Sequence, residues 1–189
     1  KLLYGAYAPR VIASYGDVIG AAAGFHLPDG DYSPLTRVSD AGERLAAFFI
    51  CADCTADAAD DIMHSLRFDN AARTLTAALI GEFNADIADA GSLCTLILRR
   101  GYDFTSLLLG LRAAFGRDIS FEERYLRDMR GDGIPCGLSG LAVGGSELID
   151  LGLRGREIGA ALNCALEAVV RREISNERAA VISYIKGTR

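Results

Sequence analysis

Histidine is almost missing from this 189-residue sequence: His26 and His64 are the only two. A metal centre built on imidazoles has little to draw on, and no Ser/His/Asp or Cys/His set can be assembled from spacing. No apolar run approaches the roughly 18 residues that begin to suggest a membrane span, so no membrane partner is expected. Nor is a secretory leader expected, since Lys1 runs straight into mixed sequence. The five cysteines are odd in number and scattered, which fits reduced thiols in a cytoplasmic setting better than a disulfide framework. No stretch alternates apolar and polar residues as a half-buried strand does, and nothing repeats with the period of a solenoid. An all-α protein is what remains.

What is present is unevenly charged. The net charge is −5, so the whole chain is no general nucleic-acid binder. From Leu138 onward, however, seven cations face six carboxylates. The acidity lies ahead of that point, and an anionic partner should prefer the C-terminal end. The first residue is lysine, not methionine, and the sequence reads as part of a longer protein.

Periodicity and turn chemistry predict the following helices. Residues 1–23 are helical, with breaks at Pro9 and Gly16. A loop at 24–34 carries Pro28, Asp29, Gly30 and Pro34. A strongly apolar helix over 43–53 is expected to be buried on most sides. Thr55 caps a helix to Leu66, and Asp69 caps another to about Gly81. Two short helices cover 92–100 and 105–115, stopped by Gly101 and Gly116. Ser120-Phe-Glu-Glu123 has capping-box spacing and opens a helix to about Arg130. Gly131-Asp-Gly-Ile-Pro135 is the clearest boundary, and a small helical tail follows.

Four features carry candidate chemistry. Cys51-Ala-Asp-Cys54 has CxxC spacing but no second ligand pair, and two ordinary helix-end cysteines is the plainer reading. Asp29-Gly-Asp31 has metal-binding spacing in a turn that lacks a third acid, so a self-bonded turn is favoured. Ser175 is placed to cap the last helix, with Asn176-Glu-Arg178 as surface charge. The richest stretch is Gly152–Gly159, where Arg154 and Arg156 flank Gly155 at the start of a long helix. The Gly155-x-x-x-Gly159 spacing fits close approach of a neighbouring helix. It also fits a phosphate at the unpaired N–H groups from Gly155 to Ile158, with arginines on either side. On residue types alone packing has the edge, and the two readings are compatible. Ile158, Leu162, Ala165, Leu166 and Val169 recur at helical spacing behind them.

Taken together, Leu141-Ala-Val-x-Gly, Leu148-Ile-x-Leu-Gly-Leu-x-Gly, Ile158-Gly159, Asn163 and Ile174-x-Asn-Glu-Arg178 resemble the C-terminal tail of bacterial tRNA nucleotidyltransferases. These are the CCA-adding enzymes and their poly(A) polymerase relatives. Looser likenesses precede it in family order. Lys1–Ala8 is similar to the end of the neck, Arg44–Phe49 to a helix leading into the metal site of an HD-like body, and Leu66–Asn70 to the segment after it. The departures are informative. The HD ligands would fall at Leu35-Thr36, Ile50 and Cys51, which cannot serve as such a site.

The resemblance implies the end of a neck at 1–24, a degenerate HD-like helical bundle at 25–130, and a tRNA-binding tail at 136–189. It implies that the tail holds the acceptor–TΨC arm through phosphates, with Arg154, Gly155, Arg156 and Gly159 as leading contacts and Arg171 and Arg172 as second choices. Chemistry, with Mg and NTP, is expected on a catalytic head of the same chain ahead of these residues. The present residues are then inactive alone, with no catalytic or metal residue and no cofactor of their own. An all-α protein-interaction module and an HD-type phosphohydrolase are the competing readings.

Overall fold

In the computed structural model, residues 2–87 and 89–188 are described. They are about 69% helical and contain nine α-helices and no strand. No described helix is long and apolar enough to cross a membrane. The helices are α1 (Ala8–Ala23), α2 (Ala41–Cys51), α3 (Ala56–Ser65), α4 (Asn70–Glu82), α5 (Ala90–Ala114), α6 (Ser120–Gly131), α7 (Gly145–Asp150), α8 (Arg156–Val170) and α9 (Arg178–Gly187). The helices at 92–100 and 105–115 are segments of α5, which is interrupted at Gly101 (φ 81°, ψ 171°). The break in α1 lies at Tyr15 (φ −135°), immediately before Gly16, while Pro9 sits in its first turn, where no N–H is needed.

The chain forms two compact units, Lys1–Asp86 with Ser106–Ile119, and Ile87–Thr105 with Ser120–Arg189. Contacts therefore do not divide the chain at 131–135; they gather α6 and the first part of α5 with the tail. The reason lies in specific bonds. The Tyr102 hydroxyl donates to Ile134 O at 2.9 Å, and Arg172 reaches Asp132 at 2.7 Å. Buried Cys94 lies 3.4 Å from Val170 O and 3.3 Å from the Tyr125 hydroxyl.

In the first unit, α2 is the central element. Leu45, Ala46, Ala47, Phe48 and Phe49 are all buried, and Phe48 and Phe49 stack edge-on with ring centroids 5.3 Å apart. α2 packs on α4, and α4 on α3. The helix begins two residues earlier than the apolar pattern indicates because Asp40 and Glu43 form a reciprocal capping box. Arginines close the helix ends of this unit. Arg112, buried, donates to Glu82 O and Ala85 O just past α4. Arg117 donates to Phe83 O at 2.9 Å and lies over the Phe83 ring, and Arg37 donates to Ala114 O at 2.9 Å. Cations at helix C-termini satisfy orphan carbonyls and oppose the dipole's negative end. In the second unit, α8 packs against α7 and α9 through buried Leu148, Leu162, Leu166, Val169, Val181 and Ile185.

Glu43 caps α2 from a buried position, and burial, more than the nearby Asp40 charge, holds its carboxyl above the ordinary 4.5. A raised folded pKa means that the native state holds this proton more tightly than the unfolded chain does. The associated stability is therefore present below the ordinary value and lost as pH rises through the raised one. Glu43→Gln keeps the acceptor and removes the charge. Urea unfolding across pH 4–8 should show the wild type losing stability relative to Glu43→Gln as pH rises from about 4.5, and a constant difference would contradict this account.

Candidate functional site

The stretch Gly152–Gly159 is a turn pinned at one point. The turn after α7 places Gly152 at φ 87°, and the buried Leu153 fastens the connection to the second unit's core. Gly155 precedes α8 with φ 55° and ψ −121°, a backbone conformation that side-chain-bearing residues avoid. This bend sends Arg154 and Arg156 outward on either side of the helix start. Both are exposed, and neither guanidinium has a partner among the described residues. The amide cradle is smaller than the sequence suggests. The Glu157 N–H already donates to Arg154 O at 3.1 Å, and the Glu157 carboxylate accepts from the Arg154 N–H at 3.2 Å. A fixed carboxylate thus shares the helix start with the two arginines.

Close helix packing does not explain Gly159. A Cβ placed there, or at Gly155, meets nothing within 4 Å, so the spacing of these glycines leaves open surface instead of admitting a neighbour. The second-choice arginines are elsewhere and are engaged. Arg171 pairs with Glu167 at 2.8 Å, and Arg172 with Asp132 while lying 5.8 Å from the Tyr125 ring centre. They sit at the far end of α8, about 20 Å from Arg156 at 1.5 Å rise per residue. The six candidate residues therefore form an outward pair at one helix end and a self-satisfied pair at the other, not one cluster.

Ser175 does not cap α9; Glu177 precedes the helix and no side chain caps it. Asn176 has a different task. Its amide donates to Gly140 O and accepts from the Ala142 N–H, both at 2.9 Å. One side chain thereby ties the start of the tail to its last connection, and Arg178 lies 3.8 Å from Glu147. The spacing of Asn176 from turn-forming glycines carries no local signal of a bond spanning 34–36 residues.

Beside α8 runs an open groove of about 370 Å³ lined by Leu153, Glu157, Ala160, Ala161, Ile185 and Thr188. At Cys164 it meets a second hollow of about 240 Å³, which contains Arg171, Glu173 and Tyr184. Its small residues keep it open, and its rim carries carboxylates. The other candidates are self-contained. Asp31 accepts from the backbone and hydroxyl of Ser33, each at 2.8 Å, and these bonds hold its carboxyl below the usual range. His64 lies 3.0 Å from Arg73, which pairs with Asp60. Burial pushes the Cys51 thiol up to about 12 and also raises Cys54, opposite to what a thiolate ligand or redox pair needs. Among the described residues no three His, Cys, Asp or Glu side chains are grouped to hold a metal ion. Leu35, at one of the positions where the family resemblance would put a ligand, is 1% exposed in the core.

No protein-family model, curated protein or solved structure matches this chain.

Two outcomes follow from these positions. Asn176→Ala should lower stability in urea unfolding by about 1 kcal/mol, the usual net worth of such bonds where water can replace them. On alkylation at pH 8, mass spectrometry should find exposed Cys164 modified first and Cys51 slower by about 100-fold or more.

Proposed function

We propose that this chain is the RNA-holding C-terminal part of a tRNA nucleotidyltransferase of the CCA-adding or poly(A) polymerase type. It acts in the cytoplasm and grips the acceptor–TΨC arm while a catalytic head in the same protein, using Mg and NTP, extends the 3′ end. The observation that carries this reading is the exposed, unpartnered pair Arg154 and Arg156 beside Gly155 at the start of α8. Two free guanidinium forks about a helix N-terminus suit phosphate oxygens. All tRNAs share a shape and differ in sequence, so a grip on phosphate and sugar is the appropriate chemistry. Charge supports the same assignment. The first unit carries the whole excess of −5, while the second has equal numbers of acids and bases. The Glu157 carboxylate at the helix start keeps such a contact weak and salt-sensitive.

A protein-interaction module is the second reading, and α1 favours it. Tyr7, just before the helix, and Tyr15 and Val18 on it are 71, 58 and 60% exposed, and the only charges in α1 are Arg10 and Asp17. An HD-type phosphohydrolase finds no support in Leu35, Ile50 and Cys51.

Fluorescence anisotropy with a labelled tRNA at 50 mM salt tests the proposal. The chain should bind, with affinity falling steeply as salt rises. Arg154→Ala/Arg156→Ala should weaken binding about tenfold and reduce the salt slope by about two ions. Absence of binding at low salt, or an unchanged double variant, rejects the clamp; a chain that ignores RNA but associates through α1 favours the second reading.

A further inference from the structure

α2, α3 and α8 end on a left-handed residue that is not glycine: Asp53 (φ 53°), Arg67 (φ 60°) and Arg172 (φ 60°). Each occupies the same place in the same kind of turn. Its amide bonds back three residues, and the next amide bonds back five, as in Arg67 N–H to His64 O and Phe68 N–H to Met63 O. At α5, α6 and α7 the equivalent residues are Gly116, Gly133 and Gly152. A side chain crowds its own carbonyl in this conformation, so a residue other than glycine there needs a reason.

Two of the three have one. Aspartate tolerates the left-handed region better than most residues. Arg172 gains Asp132 at 2.7 Å and the face of Tyr125. Arg67 gains nothing: it is exposed, and its guanidinium has no hydrogen bond, ion pair or ring contact with any described residue. Arg10, Arg124 and Arg127 are similarly free but lie within helices, where an unpaired arginine carries no backbone strain. Among the described arginines, Arg67 alone combines a left-handed backbone with an unused charge.

Its surroundings suggest a use. Arg67 is the tip of the α3–α4 hairpin, between Leu66 and Phe68, which are 45 and 37% exposed. Carboxylates flank the tip in sequence, and two of them already have partners. Asp60 is held by Arg73 at 2.6 Å, and an Asp69 oxygen accepts from the Ala72 N–H at 2.8 Å. The tip thus offers a free guanidinium beside an aromatic face on a unit that is otherwise acidic.

We propose that Leu66-Arg67-Phe68 is a second RNA contact, with Arg67 on a phosphate and Phe68 against the face of a nucleobase. This rests on the RNA-holding reading above. A planar fork and a ring together bind nucleic acid without reading sequence, as a device serving all tRNAs requires. Backbone strain retained for a contact is relieved when the contact residue is replaced by glycine, so stability and binding should move in opposite directions.

The test uses the full chain and a labelled tRNA, with Arg67→Gly, Arg67→Lys, Phe68→Ala and Arg154→Ala/Arg156→Ala side by side. Arg67→Gly should raise the melting temperature by a few degrees. It should also weaken tRNA binding about threefold to tenfold and lower the salt slope by about one. Arg67→Lys should keep most of the salt-dependent part, and Phe68→Ala should weaken binding with the salt slope intact. If Arg67→Gly binds as the wild type does while Arg154→Ala/Arg156→Ala is weakened, the tip is no contact and the clamp stands. If the double variant is unaffected and Arg67→Gly is weakened, the clamp is misassigned and the tip stands. A wild-type chain that ignores tRNA at low salt overturns both. A melting temperature that fails to rise in Arg67→Gly removes the strain and overturns the proposal.

Discussion

Each helix leaves about four carbonyls at its C-terminus without partners, and a chain built wholly from short helices meets that problem repeatedly. This protein answers it with turns and arginine. Of its 20 basic residues only Lys1 and Lys186 are lysine, and several arginines are committed to backbone oxygens. Arg112 closes the end of α4 from a buried position, Arg117 reaches Phe83 O, Arg37 reaches Ala114 O, and Arg44 reaches Val38 O at 2.7 Å. A planar, permanently charged fork suits such work, because a lysine buried in the same place tends to lose its proton. The cost of leaving these oxygens bare in a packed interior, of order 1–3 kcal/mol each, makes the arginines part of the fold.

That assignment changes what the remaining arginines mean. An arginine count alone makes the protein look richer in anion-binding groups than it is, since many of its forks are already occupied. Arg171 and Arg172 belong to the occupied class, one holding Glu167 and the other Asp132 and Tyr125. Arg154 and Arg156 do not. They stand clear because Gly155 takes a backbone turn that swings them away from the body of the second unit, while Leu153 is fastened beneath. The candidate interface is thus what remains after helix ends and ion pairs have taken their share.

The same separation of roles appears at the tail's closing motif. Asn176 looks like part of a polar recognition triplet, but its amide joins Gly140 and Ala142 to the start of α9 through one donated and one accepted bond. It shapes the tail that presents Arg154 and Arg156 and need not touch a ligand to matter. Gly159 shows the converse: its spacing invites a packing explanation, yet open surface lies above it.

The helical class, the positions of most helices and most of their caps are legible in the residue order alone. These depend on local quantities: the apolar period of α8, the oxygens of Thr55 and Asp69 facing amides three residues on, and glycine at helix stops. Residue order also marked Gly155 and its flanking arginines as a helix start, though residue types there favoured close packing and only the structure left that surface open. Tertiary structure decided everything that depends on distant partners. Contacts joined α6 and part of α5 to the tail, since Tyr102, Cys94 and Arg172 find their partners 32, 76 and 40 residues away. They separated engaged arginines from free ones and gave Asn176 its binding partners. They also isolated Arg67, whose significance lies in a backbone angle and a missing neighbour, neither of which a one-dimensional pattern encodes.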